Sequence, residues 1–215
     1  MSAAFASVVL DVDSTISGIE GIDWLAERRG PEVAAKIGAL TNDAMRGTIP
    51  LESVYGARLD VIRPSSSEIA ALGVAYEDNL APGLREAFER MRAAGIKLVL
   101  VSGGLRQAIE PLATSLGIAD TELHAVRLRF NDDGSYLGFD ASSPLTTSSG
   151  KSTVLEQLQL ERPIFAAGDG ATDVAMRQVA DKFAAYVGFA RRPNVVAQAD
   201  LVVDSFADLA DLVLG

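Results

Sequence analysis

The sequence predicts an α/β fold: a doubly wound, Rossmann-like parallel sheet with a helical-bundle cap inserted after the first strand. Three short apolar runs, at residues 8–10, 97–101 and 164–167, indicate buried strands, because a parallel sheet covered on both faces needs no polar alternation. Segments with helical periodicity separate these runs, which is typical of parallel strands joined by right-handed crossovers. A long stretch of helical patterns after the first run indicates the insertion.

That stretch lies between Thr15 and Pro82 and contains 66 residues, many more than an ordinary crossover. Its apolar residues recur at helical spacing, and Gly and Pro divide it into four short helices, the pattern of a small bundle. We therefore expect a core domain of residues 1–15 and 82–215 and a helical cap domain of residues 16–81. The predicted cap helices lie near residues 19–26, 31–45, 51–62 and 65–76, and the last begins with a capping box formed by Ser65 and Glu68.

The remaining chain alternates helices with strands. A run of turn-forming residues at 131–135 separates two apolar segments, which predicts a hairpin between residues 124–130 and 136–139. The other predicted helices cover residues 84–94, a region up to 116, 152–160 and 206–214, and further short strands cover residues 184–187 and 201–203.

The first strand, Val8–Leu10, runs directly into Asp11 and Asp13. Two acids at the carboxyl end of a buried strand lie where open α/β sheets bind ligands. A carboxylate there can attack as a nucleophile or hold a hard cation, and its neighbour can move a proton. Asp, Ser and Thr are also ordinary turn residues, so this stretch by itself is equally compatible with a turn that ends a strand.

Two other predicted strands also end in polar, glycine-containing turns, at residues 102–104 and 168–170. Because the carboxyl ends of parallel strands meet at one edge of a sheet, we expect all three turns to form one site. Ser102 and the backbone N–H groups of the two glycines after it can hold an oxyanion. Asp169 joins Asp11 to offer two carboxylates to a hard cation, which suits Mg²⁺.

Composition excludes several kinds of site. The 215-residue chain contains no Cys and a single histidine, His124, which excludes thiolate metal sites, disulfides and histidine-based triads. A net charge of −10 argues against nucleic-acid binding, and it means that a phosphorylated substrate needs local positive charge. No apolar run reaches membrane-spanning length and no signal peptide is visible, so we expect a cytoplasmic protein.

Three charged residues outside the turns each have two interpretations. Lys151 opens a predicted helix, where lysine is usually solvated, although a point cation also suits a phosphoryl-transfer site. Its segment is not a P-loop, because Leu145 stands where that pattern requires glycine. Glu20 complements a helix dipole in a first turn, and Arg58 could extend its charge to solvent from an apolar helix face. Either residue could instead bind a substrate.

Taken in order, these motifs resemble those of the haloacid dehalogenase superfamily and, within it, the phosphoserine phosphatases. The resemblance covers nearly the whole chain and includes a cap and a hairpin. The residues that carry it are Asp11-Val12-Asp13-Ser14-Thr15, Glu20–Asp23, Ala44–Gly47, Ser102-Gly103-Gly104, Tyr136–Asp140, Lys151 and Gly168-Asp169-Gly170-Ala171-Thr172-Asp173.

The resemblance implies a phosphatase that uses Mg²⁺ and hydrolyses O-phospho-L-serine through an aspartyl-phosphate. Asp11 would be the nucleophile, and Asp13 would protonate the leaving hydroxyl and then activate water. Mg²⁺ would be held by Asp11, the backbone carbonyl of Asp13 and Asp169, with Asp173 in support. Ser102, Gly103 and Lys151 would hold the phosphoryl group beside Gly104 and Thr172, Glu20 would bind the substrate ammonium, Arg58 its carboxylate, and Met45 and Arg46 would lie nearby.

Three residues, Gly18, Ile19 and Val126, depart from the family pattern and leave the exact substrate open. The alternatives are another small phosphorylated substrate, transfer to an acceptor alcohol, or a receiver-like domain in which Asp11 is merely phosphorylated. Asp13 argues against a receiver, because a stable phosphorylated switch has no use for an adjacent acid and base. We expect a monomer or homodimer in serine biosynthesis, with a small phosphorylated amino acid as partner and with neither nucleic acid nor membrane.

Overall fold

The computed structural model describes residues 3–215 as an α/β fold built on a six-stranded sheet and a separate two-stranded hairpin. All pairings within the six-stranded sheet are parallel, which confirms the predicted fold class. The strands are β1 (Ser7–Leu10), β2 (Lys97–Leu105), β3 (Leu123–Val126), β4 (Leu128–Phe130), β5 (Tyr136–Phe139), β6 (Ile164–Gly168), β7 (Lys182–Tyr186) and β8 (Leu201–Val203).

Helices connect most of these strands, and single 3₁₀ turns occur at residues 51–53, 120–122, 144–146 and 175–178. None of the helices in the described part of the chain has both the length and the apolar character needed to cross a bilayer. The α-helices are α1 (Gly21–Glu27), α2 (Pro31–Met45), α3 (Tyr55–Ile62), α4 (Ser66–Asp78), α5 (Leu84–Ala93), α6 (Arg106–Ser115), α7 (Gly150–Leu158), α8 (Ala171–Val174), α9 (Pro193–Val196) and α10 (Phe206–Leu214).

The spatial order of the sheet is β3-β2-β1-β6-β7-β8, so β1 lies between β2 and β6. The chain first extends the sheet on one side of β1 and then, from β6 onward, on the other. This reversal places the carboxyl ends of β2, β1 and β6 side by side at a topological switch point, where such sheets bind ligands. Val9 is in register with Val99 and Ala166, so the three strands end at the same edge.

The apolar runs that predict these strands form the centre of the core. Val8, Val9 and Leu10 are fully buried, and every residue of β6 is buried as well. Burial on both faces explains why these strands lack polar alternation. Because a strand without a solvent face cannot shift its register freely, the positions of the residues that follow it are well fixed.

Four helices, α1 to α4, occupy residues 16–81, which we call the cap segment, as the periodicity predicts. Ser65 and Glu68 form the predicted capping box at the start of α4. The third helix begins later than predicted, because residues 51–53 form a 3₁₀ turn that is fixed by contacts to a distant loop. Leu51 N–H donates to Ser148 Oγ at 2.9 Å. The division into core and cap domains stays a proposal.

The two ends of the cap segment run beside one another. Gly18 N–H donates to the Asn79 carbonyl at 2.9 Å, and Ala81 N–H donates to the Ile16 carbonyl at 2.9 Å. The cap segment therefore leaves and rejoins the rest of the chain at one place.

Two strand predictions were wrong in detail. The strand predicted at residues 124–130 is broken at Arg127, so that β3 joins the parallel sheet beside β2 and only β4 pairs with β5. The open edge of β2 satisfies the backbone of β3, while the Gln107 side chain accepts from Leu128 N–H and donates to the Leu128 carbonyl. In addition, β2 continues to Leu105 instead of ending in a turn after Val101. Its register with β3 shifts between Val101 and Leu105.

Candidate active site

The chain turns sharply after β1 and brings Asp11 and Asp13 to one side. Asp11 N–H still donates to the Ala167 carbonyl of β6. The N–H groups of Thr15, Ile16 and Ser17 all donate to the Val12 carbonyl, which turns the chain back on itself. Ser14 follows in the left-handed region with a φ of 52°. Residues two apart in an extended backbone share a face, and both carboxylates line a single cavity.

Lys151 is buried at the start of α7 and lies between two carboxylates. Its Nζ is 2.6 Å from Asp11 Oδ1 and 2.5 Å from Asp173 Oδ1. Burial alone would lower the pKa of Lys151, but the charges of Asp11 and Asp173 outweigh it and raise the pKa above its usual range. The ammonium group is therefore a fixed cation beside Asp11, which excludes the interpretation of Lys151 as a solvated surface lysine.

Three buried aspartates form a candidate metal centre. Asp11, Asp169 and Asp173 each offer a carboxylate oxygen, and these oxygens lie within 4.8 Å of one another. Asp173 Oδ2 also accepts from Gly170 N–H at 2.8 Å. Burial, followed by the charge of Asp11, raises the pKa of Asp173 to about 7. Hard oxygen donors and crowded negative charge fit a divalent cation such as Mg²⁺.

The end of β2 forms one wall of the cavity. Ser102 Oγ accepts from Gly104 N–H at 2.9 Å and lies 3.3 Å from Asp13 Oδ2, to which it donates. A Cβ atom at Gly104 would lie only 2.5 Å from Asp13 Oδ2, so this position requires glycine. The backbone of Gly103 and Gly104 lines the cavity and can approach a ligand closely.

Asp13 is held by groups from the cap segment. Its Oδ1 accepts from Tyr76 Oη at 2.6 Å and from Gly21 N–H at 2.7 Å. Burial and the neighbouring Asp11 charge raise the pKa of Asp13 to about 6, although both hydrogen bonds oppose the shift. Burial raises the pKa of Tyr76 well above its usual range, so its hydroxyl stays protonated and donates.

Glu20 lies at the start of α1 and faces the same cavity. Its Oε1 accepts from Ser14 Oγ at 2.8 Å and lies 3.3 Å from Arg192 Nη2. Burial, followed by the charge of Asp13, raises the pKa of Glu20 to about 7. Arg192 also contacts Asp169 Oδ2, so its guanidinium connects Glu20 with the aspartate cluster.

Arg58 is 2% exposed, which excludes the interpretation in which its charge reaches solvent. Its Nη1 donates to Thr41 Oγ1 at 2.8 Å, and Thr41 in turn donates to Asp23 Oδ1 at 2.5 Å. Arg58 Nε is buried without a hydrogen-bond partner. A buried charged donor without a partner is costly, and because Arg58 lines the cavity, an anionic ligand bound there would offset part of that cost.

The structure brings most of the predicted site residues to one cavity between the sheet edge and the cap segment. Ser102 and Asp173 are buried directly behind its wall, where they contact Asp13 and Lys151. Arg46 is exposed and does not line the cavity, so its role stays a prediction. The predicted residues that line the cavity are Asp11, Asp13, Glu20, Met45, Arg58, Gly103, Gly104, Lys151, Asp169 and Thr172.

Two residues of this site, Tyr76 and Arg192, were not singled out from the sequence. Tyr76 occupies a buried helix position, where an aromatic residue normally indicates packing alone. Arg192 follows β7, a strand whose carboxyl end lies at the same edge as the other loops of the site. The sequence does contain a signal for Arg192, because it follows a strand of the parallel sheet, and the loops after such strands share the edge where the site lies.

Comparison with known proteins agrees with this arrangement. A family model described as haloacid dehalogenase-like hydrolase matches residues 8–178. The chain belongs to this family. The match begins at β1 and ends after α8, so it includes the loops that carry Asp11, Lys151 and Asp169.

This hydrolase is similar to several phosphoserine phosphatases. It is 38% identical to the chloroplastic phosphoserine phosphatase of Arabidopsis thaliana, over 94% of this chain and 70% of that protein. It is 35% identical to the phosphoserine phosphatase of Homo sapiens, over 94% of this chain and 91% of that protein. A crystal structure of a phosphoserine phosphohydrolase-like protein from Francisella tularensis subsp. tularensis SCHU S4 superposes with a TM-score of 0.88 at 27% identity and covers 99% of this chain and all of that one.

Proposed function

We propose that this hydrolase is a phosphatase that uses Mg²⁺ to hydrolyse O-phospho-L-serine to serine and phosphate through a covalent aspartyl-phosphate. One observation carries the proposal: a single cavity contains Asp11 beside Lys151 and, from the cap segment, one carboxylate and one guanidinium. Glu20 and Arg58 supply this opposite pair of charges, which is complementary to the ammonium and carboxylate groups of an amino acid. The similarity to phosphoserine phosphatases at 35% and 38% identity supports the same substrate.

The first step is attack of an Asp11 carboxylate oxygen on the phosphorus atom. Lys151 Nζ, 2.6 Å from Asp11, orients the nucleophile and lies where it can offset the charge of the phosphoryl oxygens. The bond between phosphorus and the serine oxygen breaks as Asp13 donates its proton to that oxygen, so serine leaves as a neutral alcohol. The products of this step are serine and a phosphorylated Asp11.

The second step returns the protein to its starting state. The Asp13 carboxylate takes a proton from water as the water oxygen attacks phosphorus, and the bond between phosphorus and Asp11 breaks. Inorganic phosphate leaves, and Asp13 is again protonated for the next cycle. One carboxyl group thus serves as acid and then as base, which requires that it reach both the leaving oxygen and the incoming water.

Mg²⁺ would be held by Asp11, Asp169 and the backbone carbonyl of Asp13, with Asp173 in support. When bound, the ion would neutralise charge on the phosphoryl oxygens. The fit rests on three buried carboxylates whose oxygens lie within 4.8 Å of one another. Asp173 also contacts the Lys151 ammonium group and so holds it beside Asp11.

The cap segment provides substrate recognition. Glu20 would bind the ammonium group of phosphoserine in the place where Arg192 and Ser14 approach it in the free protein. Arg58, which lines the cavity, would bind the carboxylate through the part of its guanidinium that does not hold Thr41. Its remaining contacts, through Thr41 to Asp23, hold the guanidinium in place before the substrate arrives.

Phosphate release from phosphoserine, phosphothreonine and 4-nitrophenyl phosphate, each with Mg²⁺ and with a chelator, tests the proposal. We expect many turnovers of phosphoserine with Mg²⁺, little activity with chelator, and none in Asp11→Asn, which should remain folded by circular dichroism. One equivalent of serine per protein, with the phosphoryl group retained on the protein and no free phosphate, would indicate a receiver-like phospho-acceptor. Product phosphorylated on an added alcohol, without free phosphate, would indicate a phosphotransferase, and turnover of 4-nitrophenyl phosphate alone would exclude phosphoserine as the substrate.

A further inference from the structure

A buried tyrosine of the cap segment contacts the proposed acid and base of the reaction. Tyr76 is fully buried, and its hydroxyl donates to Asp13 Oδ1 at 2.6 Å. Gly21 N–H donates to the same oxygen at 2.7 Å. A Cβ atom at position 21 would lie 2.2 Å from the Tyr76 hydroxyl, so only glycine allows both donors to reach Asp13 together.

The two donors distinguish the two oxygens of the Asp13 carboxyl. A carboxylate oxygen accepts about two hydrogen bonds, and Oδ1 already accepts two, so a proton on Oδ1 would displace one of them. Oδ2 instead faces the end of β2, 3.3 Å from Ser102 Oγ and against Gly104, which lines the cavity. Oδ2 accepts from Ser102 alone among the hydrogen bonds of the described residues, so it is the oxygen with capacity left for a proton.

We propose that Tyr76 is a positioning residue, which holds the Asp13 carboxyl so that Oδ2 transfers the proton in both steps of the reaction. This inference rests on the role proposed above for Asp13. The proposal makes proton transfer by Asp13 depend on a residue outside the aspartate motif. The hydroxyl that orients Asp13 belongs to a helix residue 63 positions further along the chain.

The fold keeps this hydroxyl fixed relative to the sheet. Tyr76 lies near the end of α4, and α4 packs closely on α6, which follows β2. At the contact, a Cβ atom on Gly73 would lie 3.1 Å from the Ala108 carbonyl. Ser17 Oγ also donates to the Tyr76 carbonyl at 3.0 Å, which ties the residue to the loop that follows Asp13. A side chain anchored on both sides is suited to orienting a catalytic group.

Tyr76→Phe tests the proposal, because it removes the hydroxyl and keeps the ring. We expect phosphoenzyme formation from phosphoserine to slow about 10-fold or more, with KM nearly unchanged. Across a series of aryl phosphates, the loss should shrink as the leaving phenol becomes more acidic, since an acidic phenol departs without a proton. Hydrolysis of the phosphoenzyme should slow for every substrate, because water still needs the base.

Tyr136→Phe is the matched control. It also removes a buried hydroxyl, but that hydroxyl has no hydrogen-bond partner and lies outside the cavity. A Tyr76→Phe protein with wild-type rates in both steps, or with the same loss for every leaving group in the first step, would overturn the proposal. The aryl series keeps this test separate from the choice of substrate: failure to hydrolyse phosphoserine would reject that substrate, while the dependence on the leaving group would still report on Tyr76.

Gly21→Ala provides a second, independent variant. Its methyl group should push the Tyr76 hydroxyl away from Asp13, so the rate should fall in the same pattern as in Tyr76→Phe. In the double variant the hydroxyl is already gone, and the second substitution should cost much less than it does alone. Losses that multiply as independent effects would show that Tyr76 and Gly21 do not act through one contact, which would contradict the proposal. Thermal unfolding of each variant confirms that the compared proteins are folded.

Discussion

At the residue scale, the site depends on charged groups that the fold has buried before any ligand arrives. Arg58 is the clearest case, since it is 2% exposed, keeps Nε without a partner and is held through Nη1 by Thr41. Burial of a cation is costly unless it is paired. The buried Arg58 guanidinium lies at the position in the cavity where a substrate carboxylate is expected to bind.

Arg58→Ala should therefore act on one class of substrate. Loss of a desolvated charge partner costs about 2–5 kcal/mol, which corresponds to a loss of tens to thousands in kcat/KM for phosphoserine. The kcat/KM for 4-nitrophenyl phosphate, which has no carboxylate, should change little. Arg63→Ala, at the exposed end of the same helix, is the control and should behave like the wild type. Equal losses on both substrates in Arg58→Ala would show that Arg58 is structural.

The sequence identifies residues that can carry out the chemistry, but it predicts only part of their arrangement in space. Asp11 and Asp169 could be placed together because each follows a recognisable strand of a parallel sheet. The role of Lys151 was ambiguous until its distance to Asp11 was known, because a lysine at the start of a helix has the same pattern in either case. Tyr76 was missed because its importance lies in a contact across 63 residues of chain, which no local pattern reports. Arg192 was missed because its only signal is its place after a parallel strand, and its contact with Glu20 spans 172 residues.

At the element scale, α4 has an unusually well-defined beginning. Glu68 completes the capping box with Ser65 and also forms two hydrogen bonds with the Arg29 guanidinium, at 2.6 Å and 2.8 Å. The hydrogen bonds from Arg29 are the main cause that lowers the pKa of Glu68 to about 2. One carboxylate thus stabilises the start of α4 and connects it to the end of α1.

Glu68→Gln should destabilise the protein in a manner that depends on pH. A carboxyl group with a lowered pKa in the folded state adds stability above its unfolded value of 4.5, and this stability is lost as the pH falls toward 2. We expect a loss of about 1–3 kcal/mol at pH 7, reduced because the pair is partly exposed. Denaturant unfolding of wild type and variant between pH 7 and pH 2.5 measures the difference, which should shrink as the pH falls.

Glu77→Gln is the matched control for this prediction, since Glu77 lies on the same helix and is exposed. It should change the unfolding free energy by no more than a few tenths of a kcal/mol at any pH. A Glu68→Gln difference that stays constant from pH 7 to pH 2.5 would show that the charge of Glu68 contributes nothing to stability. The remaining loss would then arise from the cap geometry alone.

Elements were predictable where a local signal sets their boundaries. The capping box fixed the start of α4, and Pro31 with Gly47 bounded α2. The break at Arg127 was not predictable, because the segment has strand-forming character on both sides of it. Only the open edge of β2 and the Gln107 side chain decide that one half joins the sheet and the other half the hairpin.

At the scale of the whole molecule, we expect the aspartate cluster to couple metal binding to stability. Three buried carboxylates within 4.8 Å repel one another in a chain whose net charge is already −10. Lys151 and Arg192 offset part of this charge. A cation that binds the folded state and not the unfolded chain must increase the free energy of unfolding.

Mg²⁺ should therefore raise the midpoint of thermal unfolding. At a concentration about one hundred times the dissociation constant, we expect a rise of roughly 5–10 °C over the chelated protein at the same ionic strength. Asp169→Asn should lose most of this rise, whereas Asp132→Asn, in the exposed turn of the hairpin, should keep it. Retention of the full shift in Asp169→Asn would place the ion elsewhere.

The adjacent ends of the cap segment have a consequence for how such a fold can vary. Because Gly18 pairs with Asn79 and Ile16 pairs with Ala81, the 66 residues of the cap segment form a loop that is closed by its own backbone hydrogen bonds. The entropic cost of closing a loop grows slowly, by about 0.6 kcal/mol for each doubling of its length. The free-energy cost of closing the link between β1 and α5 therefore changes little with the number of residues in the cap segment. We therefore expect that the cap segment can be exchanged here for a larger or smaller one without disturbing the edge of the sheet that carries Asp11.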